Sequence, residues 1–252
     1  MTEFDETSEA DDDASGVDLD ETSGADLDEA SGTHFDDASD AATDRGVADA
    51  IDAAAAAIEN GQTVVYPTET VYGLGADATD SAAVERVFEV KGRDRSKPLS
   101  LGVPTVDAAL RHARPSDRAL RFMRAFLPGP VTVVVDADPS LPEALTAGRD
   151  RVGIRIPDHE VALALFERVA PTPVTATSAN VSGSPSVTDV ATLDAAVRDA
   201  VAVVVDAGPT PGTESTVVDP ERNVVHRRGA MADAIAAWLE DERGAEPTVE
   251  GS

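Results

Sequence analysis

The order of helix-like and strand-like segments between residues 46 and 241 most constrains the fold of this chain. Segments with helical periodicity are intermixed with short β-branched runs, and no linker-like break divides the region. Intermixed helices and strands pack as layers around a sheet. We therefore predict one α/β (mixed α+β) domain at residues 46–241, with a mixed sheet flanked by helices. The predicted helices are 47–59, 81–90, 106–113, 116–127, 160–169, 190–200 and 230–239; the predicted strands are 63–66, 99–103, 131–136, 152–156, 173–177, 202–206, 215–219 and 224–227.

The N-terminal segment has a different composition from the rest of the chain. Residues 1–45 carry 17 Asp or Glu and one Arg, and an acidic octad recurs from Asp12, Asp20, Asp28 and Asp36. The octad holds too few apolar residues to offset the entropy of ordering it, so we expect 1–45 to be a disordered tail. A calcium-loop interpretation lacks the required Gly and closing Glu. Residues 242–252 are expected to form a second disordered tail.

The chain carries a formal charge of −28, and only two of its 20 basic residues are lysines. An acidic, lysine-poor surface suits molar salt, which screens self-repulsion, so we predict a halophilic, haloarchaeal source. The alternative is a mesophilic protein with an acidic interaction tail. The charge also argues against a protein that mainly neutralises nucleic-acid backbones. The chain has no Cys, no start resembling a signal peptide and no apolar run long enough for a membrane span, so we expect a cytoplasmic protein.

Three stretches could carry chemistry. The run from Pro67 to Gly75 places two threonines, a carboxylate and two glycines after a strand, which suits either a ligand loop or an ordinary capped turn. Lys91 and Lys97 fall in one basic segment, and we favour polyphosphate binding over simple compensation of a helix dipole. Arg155 interrupts an apolar strand, where it is either edge-exposed or held for a substrate carboxylate.

Seven motifs in order resemble the YrdC-type threonylcarbamoyl-AMP synthase family, in its short single-domain form. They cover about residues 46–240 and comprise Pro-Thr-Glu-Thr-Val-Tyr-Gly-Leu-Gly at 67–75, Lys-x-Arg at 91–93 followed by Lys-Pro-Leu at 97–99, Leu-Pro-Gly-Pro at 127–130, Val-Gly-Ile-Arg-Ile-Pro at 152–157, Ser-Ala-Asn at 178–180, Glu-Ser-Thr at 214–216 and Arg-x-Gly at 227–229. The resemblance implies a twisted mixed sheet flanked by helices around a concave basic cleft.

The resemblance also implies an activity and a set of site residues. The activity is that of a nucleotidyltransferase converting L-threonine, bicarbonate and ATP to threonylcarbamoyl-AMP and pyrophosphate. A transferase complex then uses the product to modify tRNA at the adenosine 3′ to the anticodon. Lys91 and Arg93 would be catalytic and, with Lys97, Arg151, Ser178, Asn180, Ser186 and Arg227, would bind ATP; Thr70, Arg155 and Ser215 would hold threonine. Mg²⁺ is expected with ATP, without an assigned protein ligand.

The resemblance leaves one position and two other functions open. Gly102 stands where some members of the family have a His near the threonine, so the group that accepts the amine proton is undefined. A nucleic-acid-binding module is an alternative function, although the net charge predicts weak or no direct tRNA binding. A regulatory or carbamoyl-handling relative that binds nucleotide without making this product is another.

Overall fold

The computed structural model of the protein describes residues 36–250. The first three octads lie outside the described residues, so the expectation of a disordered tail there stays a prediction. The helices are α1 (Asp36–Glu59), α2 (Ser81–Lys91), α3 (Val106–Ala109), α4 (Asp117–Phe126), α5 (Glu143–Thr146), α6 (Glu160–Val169), α7 (Ala195–Ala200) and α8 (Ala232–Arg243). The strands are β1 (Val64–Tyr66), β2 (Gly73–Gly75), β3 (Ser100–Gly102), β4 (Ala113–Arg114), β5 (Val131–Ala137), β6 (Arg151–Arg155), β7 (Val174–Ser178), β8 (Val203–Val204), β9 (Thr216–Asp219), β10 (Val224–Arg227) and β11 (Thr248–Val249).

The strands join in one mixed sheet with the order β11-β10-β9-β5-β6-β3-β7-β2-β1-β8, and β4 pairs with β5. Parallel pairs such as β3–β6 and β5–β9 lie beside antiparallel pairs such as β5–β6 and β3–β7. The predicted α/β class with a mixed sheet is therefore confirmed. None of the helices in the described part of the chain is long and apolar enough to span a membrane.

The two faces of the sheet are covered unequally, because side chains alternate between faces along each strand. One face carries buried aliphatic residues such as Leu101, Val133 and Ile154, in the larger core cluster that includes residues of α2, α4 and α8. On the other face, α1 and α6 cover only the part near Tyr66, where Phe166 packs edge-on against the tyrosine ring. The rest of that face is left open for a cavity.

Most predicted elements are present with shifted ends. Helix α1 begins at Asp36 rather than residue 47, so it crosses the expected boundary at 45/46. The predicted helix at 190–200 is divided into a 3₁₀ turn at Val190–Thr192 and α7. The division has a local cause, because Asp189 and Asp194 each accept a hydrogen bond from a backbone N–H two residues ahead and so start separate helices.

The C-terminal segment and one internal strand also differ from expectation. Helix α8 continues to Arg243, and β11 pairs in parallel with β10, so part of the expected tail 242–252 extends the sheet. Strand β2 was not predicted because Gly73 and Gly75 give it no strand-like composition. An added Cβ at Gly73 would lie 2.6 Å from Cζ of Tyr66. These glycines therefore make room for a buried aromatic ring.

Candidate active site

A cavity of about 480 Å³ occupies the open face of the sheet. Its floor includes the small residues Ser100, Gly153 and Ala176, which adjoin across β3, β6 and β7. A Cβ added to Gly153 would lie 2.5 Å from Ser100 Oγ, so even alanine would crowd the floor. The short side chains therefore create the space in which a ligand can lie against the sheet.

Five arginines line this cavity: Arg93, Arg149, Arg151, Arg155 and Arg227. The acidic residues that line the same cavity are Glu214 and Glu250. In a chain with a net charge of −28, this is a local concentration of guanidinium groups. Such a lining favours anionic ligands, because Arg binds phosphate and carboxylate through paired N–H groups.

The three predicted threonine-binding residues all line the cavity. Arg155 is buried, and its Nη1 donates to the carbonyls of Gly129 and Val131. Its Nη2 lies 2.7 Å from Glu69 Oε1 and 3.5 Å from Thr70 Oγ1. These contacts fix the plane of the guanidinium, and they show that Arg155 is not edge-exposed.

Ser215 connects this group to another arginine of the cavity. Its hydroxyl lies 3.2 Å from Thr132 Oγ1 and accepts a hydrogen bond from Arg227 Nη2 at 3.0 Å. Gly229 permits this approach, since an added Cβ there would lie 2.2 Å from the carbonyl oxygen of Glu214. The motif Arg-x-Gly thus brings Arg227 beside the Glu-Ser-Thr motif.

Arg227 also pairs with a carboxylate. Its Nη1 lies 3.0 Å from Glu214 Oε2, while Glu214 Oε1 accepts a hydrogen bond from Ser186 Oγ at 2.7 Å. Glu214 therefore links Ser186 to Arg227 across the edge of the cavity. Glu214 belongs to the Glu-Ser-Thr motif, but nothing in the sequence indicated that it would bridge these two residues.

Arg151 lies in the cavity wall, but its guanidinium forms ion pairs with three carboxylates. Its guanidinium lies 2.6 Å from oxygens of each of Asp136, Asp219 and Glu221, and Nη2 also donates to the Val134 carbonyl. Asp219 is completely buried. Arg151 therefore ties β6 to β5 and to the β9–β10 turn, a structural role that the sequence did not suggest.

Lys91 is buried at the end of α2 and is absent from the residues that line the cavity. Its ammonium donates to the backbone carbonyls of Ser178 and Asn180, the latter at 2.6 Å. Burial, with a smaller contribution from Arg93, lowers the pKa of Lys91 to about 8. The lysine thus holds the Ser-Ala-Asn loop, in which Ser178 Oγ also donates to the Asn180 side chain.

Of the remaining predicted residues, some line the cavity and the others lie outside it. Arg93 follows the left-handed Gly92 and lines the cavity, with Nε and Nη2 donating to the carbonyls of Lys97 and Pro98. Ser178 lines the same cavity. Lys97 is exposed on the following loop, whereas Asn180 and Ser186 line a second cavity of about 280 Å³. The structure therefore gathers seven of the predicted site residues around one cavity: Thr70, Arg93, Arg151, Arg155, Ser178, Ser215 and Arg227.

Besides the role of Glu214, two further features of the site were not predicted from the sequence. Glu69 lies inside the predicted ligand loop, but its pairing with Arg155 could not be inferred without the fold. Arg149 lines the cavity from the turn before β6, and no spacing or motif in the sequence distinguishes it. At Gly102, an added Cβ would lie 2.6 Å from the Phe166 ring, so an aromatic side chain crowds the position at which the resemblance implies a His in some family members.

Known proteins are similar to this chain over the residues that form the fold and the cavity. The family model for the Sua5/YciO/YrdC domain, described as "Telomere recombination", matches residues 56–229. The threonylcarbamoyl-AMP synthase of Pyrococcus abyssi is 40% identical over 168 residues, which are 66% of this chain and 49% of the relative. The synthase of Rattus norvegicus is 33% identical over 217 residues, 81% of this chain and 75% of the relative.

A solved structure is similar as well. The crystal structure of P. abyssi Sua5 complexed with L-threonine has a TM-score of 0.71 and 36% identity, covering 79% of this chain and 58% of that one. The chain spans about half the length of the Pyrococcus and Bacillus synthases that it matches. The matched residues include β1 to β10 and the cavity's arginines. On this evidence, the chain belongs to the Sua5/YciO/YrdC family.

Proposed function

We propose that the protein is an L-threonylcarbamoyladenylate synthase, a nucleotidyltransferase acting on L-threonine, bicarbonate and ATP. The observation that carries this proposal is the single cavity in which Arg155, beside Thr70, shares its lining with Arg93 and Arg227. One arginine is thereby available for an amino-acid carboxylate and others for phosphates. Relatives that bear this name, and a relative crystallised with L-threonine, support the assignment.

Threonine would bind with its carboxylate on Arg155 and the Thr70 hydroxyl. The Arg155 guanidinium is already oriented by two backbone carbonyls and Glu69, so little ordering is required when the ligand binds. Ser215 would donate or accept a hydrogen bond at the side of threonine that faces Arg227. This places the amine toward the nucleotide, together with the carbamate that it forms when its nitrogen bonds to the carbon of bicarbonate and water is released.

In the adenylyl-transfer step, a carbamate oxygen forms a bond to the α-phosphorus of ATP. At the same time, the bond breaks between that phosphorus and the oxygen that bridges it to the β-phosphorus. Pyrophosphate leaves with the electron pair. The protein contributes mainly positioning and charge stabilisation in such reactions. Arg93 and Arg227 would stabilise the charge that develops on the phosphates, and Ser178, Asn180 and Ser186 would contact the nucleotide. Lys97, which is exposed on the loop after Arg93, would approach the phosphates from solvent.

Mg²⁺ would enter as part of the substrate MgATP. Within residues 45–250, no group of three His, Asp or Glu side chains could hold a metal ion. The two lining carboxylates are paired, Glu214 with Arg227 and Glu250 with His226. The residues therefore do not fit a resident metal centre, and no step above depends on one.

The biological setting is proposed from the same activity. The product would be passed to a threonylcarbamoyl transferase complex for tRNA modification, in the cytoplasm of a halophile. Direct tRNA binding would be weak or absent, because 48 acidic residues oppose contact with a phosphate backbone and high salt weakens it further.

The deciding experiment measures pyrophosphate release from MgATP over a series of KCl concentrations. Release should require both threonine and bicarbonate, and Arg124→Ala, an exposed substitution away from the cavity lining, should behave as wild type. ATP turnover that ignores threonine would instead favour a nucleotide-binding relative with another product.

A further inference from the structure

The five lining arginines differ in how their charge is compensated. Three of them form ion pairs: Arg151 with three carboxylates, Arg155 with Glu69 and Arg227 with Glu214. Arg93 and Arg149 form none with any residue between 45 and 250. Among the arginines of the cavity, these two therefore have no ion-pair partner within the described side chains and can direct their charge toward a ligand.

Arg93 and Arg149 are both held by the same short loop. Arg93 donates to the carbonyls of Lys97 and Pro98, at 3.1 and 3.0 Å. Arg149 Nη2 donates to the carbonyl of Ser96 at 3.2 Å. Neutral carbonyls orient the two guanidinium groups without cancelling their charge. The loop at residues 96–98 thus places two arginines, from separate parts of the chain, around one side of the cavity.

The position of the other arginines limits what this pair can bind. Arg155 is assigned to the threonine carboxylate, and Arg227 contacts Ser215, which in turn lies beside Thr132. The α-phosphate must approach the carbamate on that side for the reaction to occur. The Arg93–Arg149 pair is then left for the part of ATP that leaves as pyrophosphate.

We propose that Arg149 is a phosphate-binding residue that, with Arg93, binds the β- and γ-phosphates of ATP and the pyrophosphate product. This inference rests on the proposed function. Two guanidinium groups suit a pyrophosphate group, which carries several acceptor oxygens and more than one negative charge. Arg149 is exposed, so its replacement removes a ligand contact without opening the core.

Calorimetric titration of the full chain at one fixed KCl concentration tests the proposal. The probes are inorganic pyrophosphate, MgATP and AMP, the last of which lacks the β- and γ-phosphates. Arg149→Ala should weaken pyrophosphate and MgATP binding roughly 10- to 100-fold, the range expected for lost hydrogen bonds to a charged group, and leave AMP binding within about twofold. Arg149→Lys should fall between the two proteins, because it keeps the charge but loses the paired donors. Arg124→Ala should bind all three probes as wild type does.

The other possible results distinguish failure of the Arg149 assignment from failure of the proposed function. Wild-type affinity of Arg149→Ala for pyrophosphate overturns the inference and leaves the proposed function intact. Equal weakening of AMP and pyrophosphate also overturns it, because the arginine would then not act on the leaving phosphates. If the wild type binds pyrophosphate through Arg149 but releases none from ATP, threonine and bicarbonate, the proposed function fails while the anion site remains. A wild type that binds neither nucleotide nor pyrophosphate overturns both.

Discussion

Lys91→Met is the most informative single substitution, because we expect it to change the position of a loop in the site much more than the stability of the fold. Lys91 is 2% exposed, and its ammonium donates to the carbonyls of Ser178 and Asn180. Methionine fills a similar volume but leaves both carbonyls without this donor. We expect the Ser-Ala-Asn loop to lose its fixed position while the core around α2 stays packed.

The expected change in stability is small, because two large contributions oppose each other. Hydrogen bonds to a charged group contribute about 1.5–3 kcal/mol each. Burial lowers the pKa of Lys91 from 10.5 to about 8, which corresponds to a cost of about 3 kcal/mol for keeping it charged. The net contribution to the free energy of unfolding is therefore about 0–3 kcal/mol.

The expected loss of activity is much larger, because misplacement of positioning groups by about 1 Å can cost about 100-fold in rate. Urea unfolding gives the stability, and threonine-dependent pyrophosphate release gives kcat/KM for ATP. A double mutant with Asn180→Ala should be little worse than either single mutant, since both changes act on one loop. Activity within about threefold of wild type in Lys91→Met would refute this reasoning, as would strictly additive losses.

Three further predictions concern charged groups of the same region. Arg151→Met should lower the free energy of unfolding by about 3–5 kcal/mol, because it removes the ion-pair partner 2.6 Å from buried Asp219 and leaves that carboxylate only Arg222, at 3.7 Å; unchanged stability with a raised KM for ATP would contradict the structural role. Arg155→Ala should raise KM for threonine by at least about tenfold with a smaller effect on KM for ATP, and unchanged threonine dependence would move the carboxylate contact elsewhere. The folded pKa of Lys91 lies below its unfolded value, so the unfolded state binds more protons between about pH 8 and 10.5. The free energy of unfolding of wild type relative to Lys91→Met should therefore rise by about 2 kcal/mol from pH 7 to pH 10, and a fall over that window would exclude the assigned charge state.

The fold class could be predicted because each element carries its own local signal. Helix α6 was placed correctly from its apolar periodicity, and Ser116 indicated the start of α4. Strand β2 could not be found this way, since its glycines are explained by the Tyr66 ring, which comes from a different strand. The two strands meet only in the folded sheet, and no local pattern contains that contact.

The site shows the same distinction. The motifs identified Arg155 and Ser215 as candidates, and both line the cavity. They could not show that Arg151 is held by carboxylates from two other strands and a turn, or that Lys91 faces backbone carbonyls. Those partners are determined by sheet order and by where α2 ends. The sequence motifs therefore predicted where the site lies. The ion-pair and hydrogen-bond partners of its charged residues could be assigned only from the tertiary structure.

The most direct test of the proposed synthase activity follows isotopic carbon from bicarbonate into a nucleotide. The full chain is incubated in KCl with MgATP, L-threonine and labelled bicarbonate. The adenylates are then separated and identified by mass spectrometry. The account predicts a labelled adduct of AMP, threonine and one bicarbonate-derived carbon, formed in equal amount to pyrophosphate and absent in Arg93→Ala. Pyrophosphate formation with no label in any adenylate would contradict it.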